Sequence, residues 1–314
     1  MVTIKKISIL VILGSLFLTF AVAETRVNSF SVSPTVGILY GQAEELVYKY
    51  PNSDQYMSEL LWDIKPLFCI GITADFGPHD PFRQNGFIAA LSFKYGIPLK
   101  TGMLENRDWV SPSHNDLTHF SWHDANSRGA FLLDISAGYS WSINDFLAIT
   151  AYGEFTFNRF SWSGKDGQYM LPPTSNIPQG EVIRYTQNWF ILAPGLSLKW
   201  KPSLLFSLEG NFNYTPLIYC HARDDHFLRK HLISGDHITF FDYLFWGHYL
   251  KGGGEFAFSP VKKLDFLLNI SYTFMTGTRG YTLVRGFREA EDAGAGYSAL
   301  GFGIAVRLRP FDRN

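Results

Sequence analysis

The chain has 314 residues and a formal net charge of −1, and its 8 Trp, 16 Tyr and 28 Phe make the aromatic fraction 17%. A disordered protein has few aromatic residues and a large net charge, so this composition excludes disorder. A near-neutral chain also lacks the broad basic surface that nucleic-acid binding needs, so we expect no nucleic-acid partner. Two cysteines, Cys69 and Cys220, are too few for a disulfide framework or a multi-cysteine zinc site.

The first 23 residues have the features of a secretory signal peptide. Two lysines precede an apolar run over residues 7–22, which ends in the small-residue motif Ala-Val-Ala. We expect cleavage after Ala23, so that residues 24–314 form a single mature domain. An uncleaved membrane anchor is the alternative, because the apolar run is slightly long for a signal peptide. After Val22, no stretch reaches the ~20 consecutive apolar residues of a transmembrane helix.

The mature chain alternates apolar and polar residues with a period of two. In residues 265–274, one face holds Phe266, Leu268, Ile270, Tyr272 and Phe274. The same alternation occurs in residues 131–141, 204–214 and 298–308. This pattern predicts β-strands that each have one apolar face.

Ten such strands are predicted, at residues 29–40, 59–76, 86–105, 127–142, 145–160, 182–201, 204–216, 238–258, 264–275 and 296–309. They are longer than the ~5–6 residues of ordinary strands. Aromatic residues near their ends are typical of the girdles of membrane barrels, which have an even number of strands. The sequence therefore predicts an all-β fold, a ten-stranded antiparallel transmembrane β-barrel in the outer membrane. A soluble β-sandwich is the alternative.

The predicted connections fall into two length classes. Short ones lie at residues 77–85, 142–145, 201–203 and 259–263, and long ones lie at 41–58, 106–126, 161–181, 217–237 and 276–295. Outer-membrane barrels have short periplasmic turns and long extracellular loops. We therefore expect the five long connections at the cell exterior.

Acidic and histidine residues concentrate in three of the long connections. They are Glu44 and Glu45 in the first, Glu105, Asp108, His114, Asp116, His119, His123 and Asp124 in the second, and His221, Asp224, Asp225, His226, His231 and His237 in the fourth. Three interpretations remain open: solvated loop charges, a divalent-metal site, and hydrolysis by activated water. No H-E-x-x-H spacing supports a metal, so we expect none.

At these residues the chain resembles the omptin family of outer-membrane proteases. Asn106-Arg107-Asp108-Trp109 corresponds to the family motif Asp-x-Asp-Trp, and Ala222-Arg223-Asp224-Asp225-His226 corresponds to Asp-x-Asp-x-His. Further similarities are Gly41, Glu45 and Val47-Tyr48, and Arg159-Phe160-Ser161 with Gly164 and Tyr169. The resemblance extends over essentially the whole mature chain.

The resemblance implies an aspartic-type endopeptidase that cleaves polypeptides at the cell surface near basic residues. In this family, the residues that correspond to Asp224 and His226 form a dyad. The dyad faces the pair of positions that Asn106 and Asp108 occupy here, and a water molecule attacks the peptide bond. Glu45 corresponds to the acid that receives the basic side chain.

Two departures from the family pattern bear on this function. Asn106 and Ala222 each stand where the family has an acidic residue. Glu105 is adjacent to Asn106, and a small shift of the strand would bring its carboxylate to the position of Asn106. A catalytically lapsed omptin-like barrel, acting as an adhesin or receptor, is therefore the alternative function, whereas ten strands enclose too little space for a porin.

The family also binds lipopolysaccharide through basic residues on the barrel wall. Arg159 corresponds to one of these, whereas Asn188 stands where another is expected. We therefore expect no required cofactor, and we expect polypeptide substrates and outer-membrane lipid as the partners.

Strand parity sets a condition on this site. Even-numbered residues of the third predicted strand point inward, and Asp108 keeps that parity. Odd-numbered residues of the seventh point inward, although Asp224 and His226 are even-numbered. We therefore predict an irregularity that shifts the seventh strand by one residue, near Pro216.

Overall fold

The fold is taken from a computed structural model, which describes residues 28–50, 53–111, 116–173, 178–230, 235–261, 263–284, 287–288 and 293–310. The predicted signal peptide and its cleavage site lie outside these residues, as do His114 and His231. Within the described part of the chain, no helix is long and apolar enough to cross a membrane.

Strands make up most of the described residues. They are β1 (Asn28–Tyr48), β2 (Tyr56–Pro78), β3 (Gly86–Gly96), β4 (Lys100–Asp108), β5 (His119–Asn144), β6 (Leu147–Leu171), β7 (Glu181–Trp200), β8 (Phe206–Thr215), β9 (Ile218–Lys230), β10 (His237–Phe245), β11 (His248–Val261), β12 (Leu264–Val284), β13 (Phe287–Arg288) and β14 (Ala293–Leu308).

These strands form one closed antiparallel sheet. Three pairs, β3 with β4, β8 with β9 and β10 with β11, are each a single crossing of the barrel wall with a short interruption, so the described residues make ten crossings. β1 pairs with β14 and closes the ring. Closure leaves no sheet edge, which is what a β-structure needs in lipid. The predicted ten-stranded barrel is confirmed.

An apolar band surrounds the barrel. On β7, Leu192 is 68% exposed and Leu196 is 59% exposed. Large apolar side chains are exposed in the same way on the neighbouring strands, among them Phe68, Ile70, Leu91, Ile135, Phe212, Leu268, Ile270, Phe302 and Ile304. A soluble sandwich would bury such residues, whereas a membrane barrel presents them to hydrocarbon.

The strands continue beyond the apolar band into segments that were predicted to be loops. β5 begins at His119, β6 ends at Leu171 and β12 ends at Val284. Above the band the outer face meets water and becomes polar, so the sequence loses its alternation while the hydrogen-bonded ladder continues. The prediction that residues 106–126 and 161–181 are mainly loop is therefore wrong, and the motif residues lie on strands.

Three neighbouring crossings reverse their inward parity at one level of the barrel. Odd-numbered residues point inward in β8 and even-numbered ones in β9, and the break is at Pro216–Leu217. The same reversal occurs at Trp246–Gly247, where both residues have positive φ, and at Thr276–Gly277. Bulges of this kind redirect side chains. The predicted irregularity near Pro216 is confirmed, and it turns Asp224 and His226 inward.

An aromatic layer crosses the barrel interior above the membrane band. Trp62, Trp162 and Tyr185 are fully buried and stacked, with ring centroids 5.9–6.4 Å apart. Gln187 donates from Nε2 to the main-chain oxygens of Glu44 at 2.9 Å and Gly296 at 3.2 Å, which links β7 to β1 and β14. The layer gives the mouth of the barrel a solid floor.

Candidate active site

The predicted site residues come together at the mouth of the barrel, just above the aromatic floor. Glu45 is on β1, Asn106 and Asp108 are on β4, and Asp224 and His226 are on β9. All five side chains point into the barrel, because each keeps the inward parity of its strand. They line one cavity of about 580 Å³, which we name the acidic cavity.

The centre of this cavity is a cluster of two acids and one histidine. His226 Nε2 is in direct ion-pair contact with Asp224 Oδ2, and the Asp224 carboxyl group also hydrogen-bonds Glu45. The His226 ring packs edge-on against Phe240, with centroids 5.3 Å apart. Glu45 is 5% exposed and Asp224 is 1% exposed. The cluster is therefore rigid and largely shielded from water.

Burial sets the protonation of this cluster. Burial, and then the positive charge of Arg229, lower the pKa of His226 to about 4. Burial also raises the pKa of Glu45 and of Asp224 well above the usual carboxyl range, and the negative charge of Asp242 adds to both shifts. At neutral pH the imidazole is therefore neutral and can accept a proton.

Asp108 lies on the opposite wall of the same cavity. Its Oδ1 accepts a hydrogen bond of 2.6 Å from the hydroxyl of Ser58, which is its cross-strand partner on β2. Its Oδ2 accepts one of 3.5 Å from Asn106 Nδ2. Among the described residues, Asn106 Oδ1 is buried without a hydrogen-bond partner. The pair therefore offers one carboxylate and one unused acceptor to a water molecule in front of His226.

Glu105 does not reach this site. It has the opposite parity to Asn106, and its carboxylate pairs with Arg107 at 2.6 Å on the outer side of β4. Arg107 also pairs with Glu59 at 3.1 Å. The strand has not slipped, so the expectation that Glu105 replaces the missing acid is not supported by its position.

A smaller, apolar cavity of about 190 Å³ lies on the other side of Asp108 and His226. Leu60, Leu104, Phe120, Val182, Ile183 and Leu228 line it. Two buried polar residues also belong to its wall, since Ser121 Oγ lies 3.1 Å from His123 Nε2. His123 Nδ1 lies 2.5 Å from the main-chain oxygen of Asp166 and donates to it, which anchors the outer end of β6. Asp108 and His226 therefore line two cavities of different character.

One residue of the acidic cavity was not identified from the sequence. Asp242, on β10, is 5% exposed and accepts a hydrogen bond of 2.7 Å from Thr282. It is the cross-strand partner of Ala222. The predicted strand 238–258 runs straight through Trp246–Gly247, where the strand in the structure reverses its inward parity. Gly247 was the available signal of that break.

Of the remaining predicted residues, His119 lines both cavities, whereas others form ion pairs away from the site. Asp124 pairs with Lys100 at 2.7 Å, and Asp225 pairs with Arg223 at 2.9 Å. Arg159 is exposed on the outer wall beside its cross-strand partner Asn188.

Three side chains of the site have the chemistry of metal ligands. Within the described residues, Glu45, Asp224 and His226 place one ligand atom each within 4.8 Å of the others, an arrangement that could hold a metal ion. Cys69 and Cys220 are buried free thiols.

Known proteins match this chain in sequence and in structure. The profile of the omptin family matches residues 26–303. A plasminogen activator of Yersinia pestis is 26% identical over 211 residues, and the match spans 64% of each chain, so about a third of that relative is not covered. The crystal structure of the Escherichia coli outer-membrane protease OmpT has a TM-score of 0.76 at 16% identity, covering 92% of this chain and 98% of that one. With this profile match over most of its length, the chain belongs to the omptin family of outer-membrane β-barrels.

Proposed function

We propose that this protein is an endopeptidase of the outer membrane that cleaves surface-accessible polypeptides beside a basic residue. The observation that supports this most is the placement of Asp108 and the Asp224–His226 pair on opposite walls of one cavity. Family membership supports the same reaction. The position of the cavity, above the apolar band, gives polypeptides outside the cell access to it.

In the proposed reaction, His226 is the general base. An Nε2–H donated to Asp224 leaves Nδ1 free to take a proton from water. The second hydrogen of that water is donated to Asp108 or to the unused oxygen of Asn106, which orients the water. The hydroxide attacks the carbonyl carbon, and the protonated His226 then gives its proton to the departing amine. Asp224 stabilises the imidazolium between these two steps.

The acidic cavity is the proposed binding site for the basic side chain. Glu45 Oε2 is buried on its wall and makes no hydrogen bond among the described residues. A lysine or arginine of the substrate would supply that partner and offset the cost of the buried charge. We therefore expect cleavage after Lys or Arg, and weaker capture of such substrates by Glu45→Gln.

The test is hydrolysis of an internally quenched peptide with a single arginine by intact cells that display the protein. We expect wild-type cells to cleave it and cells with Asp224→Asn or His226→Ala to leave it intact. Dialysis against EDTA should change nothing, whereas loss of activity that Zn²⁺ restores would favour a metal at Glu45, Asp224 and His226. Purified barrel should remain active without lipopolysaccharide.

A binding protein with a lapsed site is the second candidate, because Asn106 replaces an acid of the family motif. Failure of both wild type and Asn106→Asp to cut any peptide, in folded protein with and without lipopolysaccharide, would favour an adhesin or receptor over the protease.

A further inference from the structure

The acidic cavity holds more carboxyl groups than the dyad requires. Glu45 and Asp242 both line it beside Asp224, and both are at least 95% shielded from solvent. Burying carboxylates together is costly unless a cation or donors compensate them. Within the described residues, Arg229 is the single cation on the cavity wall, and its side chain is exposed. The cavity therefore has the charge of a site for a cationic group.

The second acid lies on β10, whereas the family motif lies on β9. Asp242 on β10 lies directly across from Ala222 on β9, and both point inward. The β-carbons of such cross-strand partners are about 4.5–5.5 Å apart. An acidic side chain on either strand can therefore reach the same part of the cavity. Ala222 has no group to offer, so Asp242 supplies the carboxylate there.

The local structure holds Asp242 in place for this role. The bulge at Trp246–Gly247 reverses the parity of β10, without which Asp242 would point outward. Thr282, which the bulge in β12 turns inward, donates to Asp242 Oδ1 at 2.7 Å. One carboxylate oxygen is thereby oriented.

We propose that Asp242 is the second specificity-determining acid of this protease, and that it binds the basic side chain of the substrate together with Glu45. This inference rests on the proposed function. Two carboxylates on different strands suit the planar guanidinium of arginine, which has donors on more than one edge. Lysine, a point charge with a shorter reach, should be bound less well.

The test compares peptides that differ only in arginine or citrulline before the cut bond, because citrulline has nearly the same shape and no charge. For the arginine peptide, Asp242→Asn should lower kcat/KM by about 10- to 100-fold, the size expected for one hydrogen bond to a charged group. For the citrulline peptide, kcat/KM should change little. Glu105→Gln removes an acid from the same end of the barrel and should leave the arginine-to-citrulline ratio as in wild type.

A variant that moves the carboxylate from position 242 to position 222 gives a sharper test than Asp242→Asn alone. In Asp242→Asn with Ala222→Asp, the carboxylate returns from the opposite strand, and the preference for arginine should recover. An equal loss for both peptides in Asp242→Asn, or no recovery in the double variant, would mean that Asp242 is only structural. If Asp242→Asn does not fold, Thr282→Val replaces it and should cause a smaller loss confined to the arginine peptide.

Failure of the protease function leaves this inference testable. If wild type cuts neither peptide, calorimetry of the folded barrel with acetyl-arginine amide and acetyl-citrulline amide measures the same preference as binding. Stronger binding of the arginine compound that Asp242→Asn abolishes supports the inference. Equal binding of the two compounds would overturn it.

Discussion

Among the described residues, two clusters of inward-facing acids in this barrel are compensated in opposite ways. In the lumen at membrane level, Lys251 Nζ is 3.0 Å from Asp134 Oδ2 and 3.0 Å from Glu154 Oε1. The Thr156 hydroxyl donates to Asp134 Oδ1 at 2.7 Å and lies 3.3 Å from Glu154 Oε1. At the mouth, within the described residues, Asp224 pairs only with His226, and Glu45 has no ion-pair partner.

This difference distinguishes acids with a structural role in the lumen from acids with a proposed functional role at the mouth. A buried acid that only fills the lumen is matched by a cation, because an unmatched charge would destabilise the fold. At the mouth, Glu45 has no cationic partner among the described residues, and the pKa values of Glu45 and Asp224 are raised, which is typical of groups that act on a substrate. Under the proposed function, the substrate would bring a cation to Glu45.

The largest effect is expected from the catalytic groups at the mouth. Asp224→Asn, His226→Ala and Asp108→Asn should each lower kcat by about 10²–10⁴-fold, the usual contribution of general acid–base catalysis. Combinations should lose little more than single changes, because the groups act as one unit. Single-turnover rates of the three single variants and the triple variant, measured with one peptide, check this. Fully additive losses would contradict a shared mechanism.

Stability is expected to respond in opposite directions in the two clusters. Lys251→Met leaves Asp134 and Glu154 without their cation and should destabilise the barrel by about 3–5 kcal/mol. Glu45→Gln should instead raise the unfolding temperature at neutral pH. Because the pKa of Glu45 is raised in the folded state, its contribution favours folding below the unfolded pKa and is lost as pH rises through the folded pKa.

The increase in unfolding temperature caused by Glu45→Gln should therefore be larger at pH 8 than at pH 4. Thermal unfolding of both variants at these two pH values, followed by the loss of β-structure, provides the measurement. A Glu45→Gln protein less stable than wild type at pH 8 would show that the mouth acids are compensated after all.

Much of this arrangement could be predicted from the sequence, because strands alternate and parity can be counted. Counting placed Asp108 inward and required an irregularity near Pro216, which the structure has. Asp242 was not identified, because the predicted strand 238–258 has no break at Gly247, where the inward parity reverses. Glu105 was proposed although its own odd number places it outward. The predicted strands also end where the apolar face ends, because only the lipid-facing residues produce the alternation of apolar and polar residues.

A moderate effect is expected at Asn106. Its Nδ2 donates to Asp108, and its free Oδ1 can accept a hydrogen bond from water but cannot hold a charge. Asn106→Asp adds a second carboxylate to this wall and should raise kcat severalfold above neutral pH, where both acids ionise. Glu105→Gln should leave kcat unchanged, because Glu105 is paired with Arg107 on the outer side. Measuring kcat of both variants as a function of pH checks the two expectations. A large loss of kcat in Glu105→Gln would mean that Glu105 belongs to the active site.

The smallest effect is expected at Arg229, the exposed cation beside the mouth cluster. Its charge lowers the pKa of His226, second only to burial. Because His226 must be neutral to accept a proton, the acid limb of the kcat profile should lie below the ordinary histidine value of about 6.5. Arg229→Gln removes the repulsion, so the pKa of His226 should rise and the acid limb should move to higher pH. The shift should shrink as salt is added, since an exposed charge is screened with a Debye length of about 8 Å at physiological ionic strength. An acid limb that stays in place in Arg229→Gln at low salt would mean that burial alone holds His226 neutral.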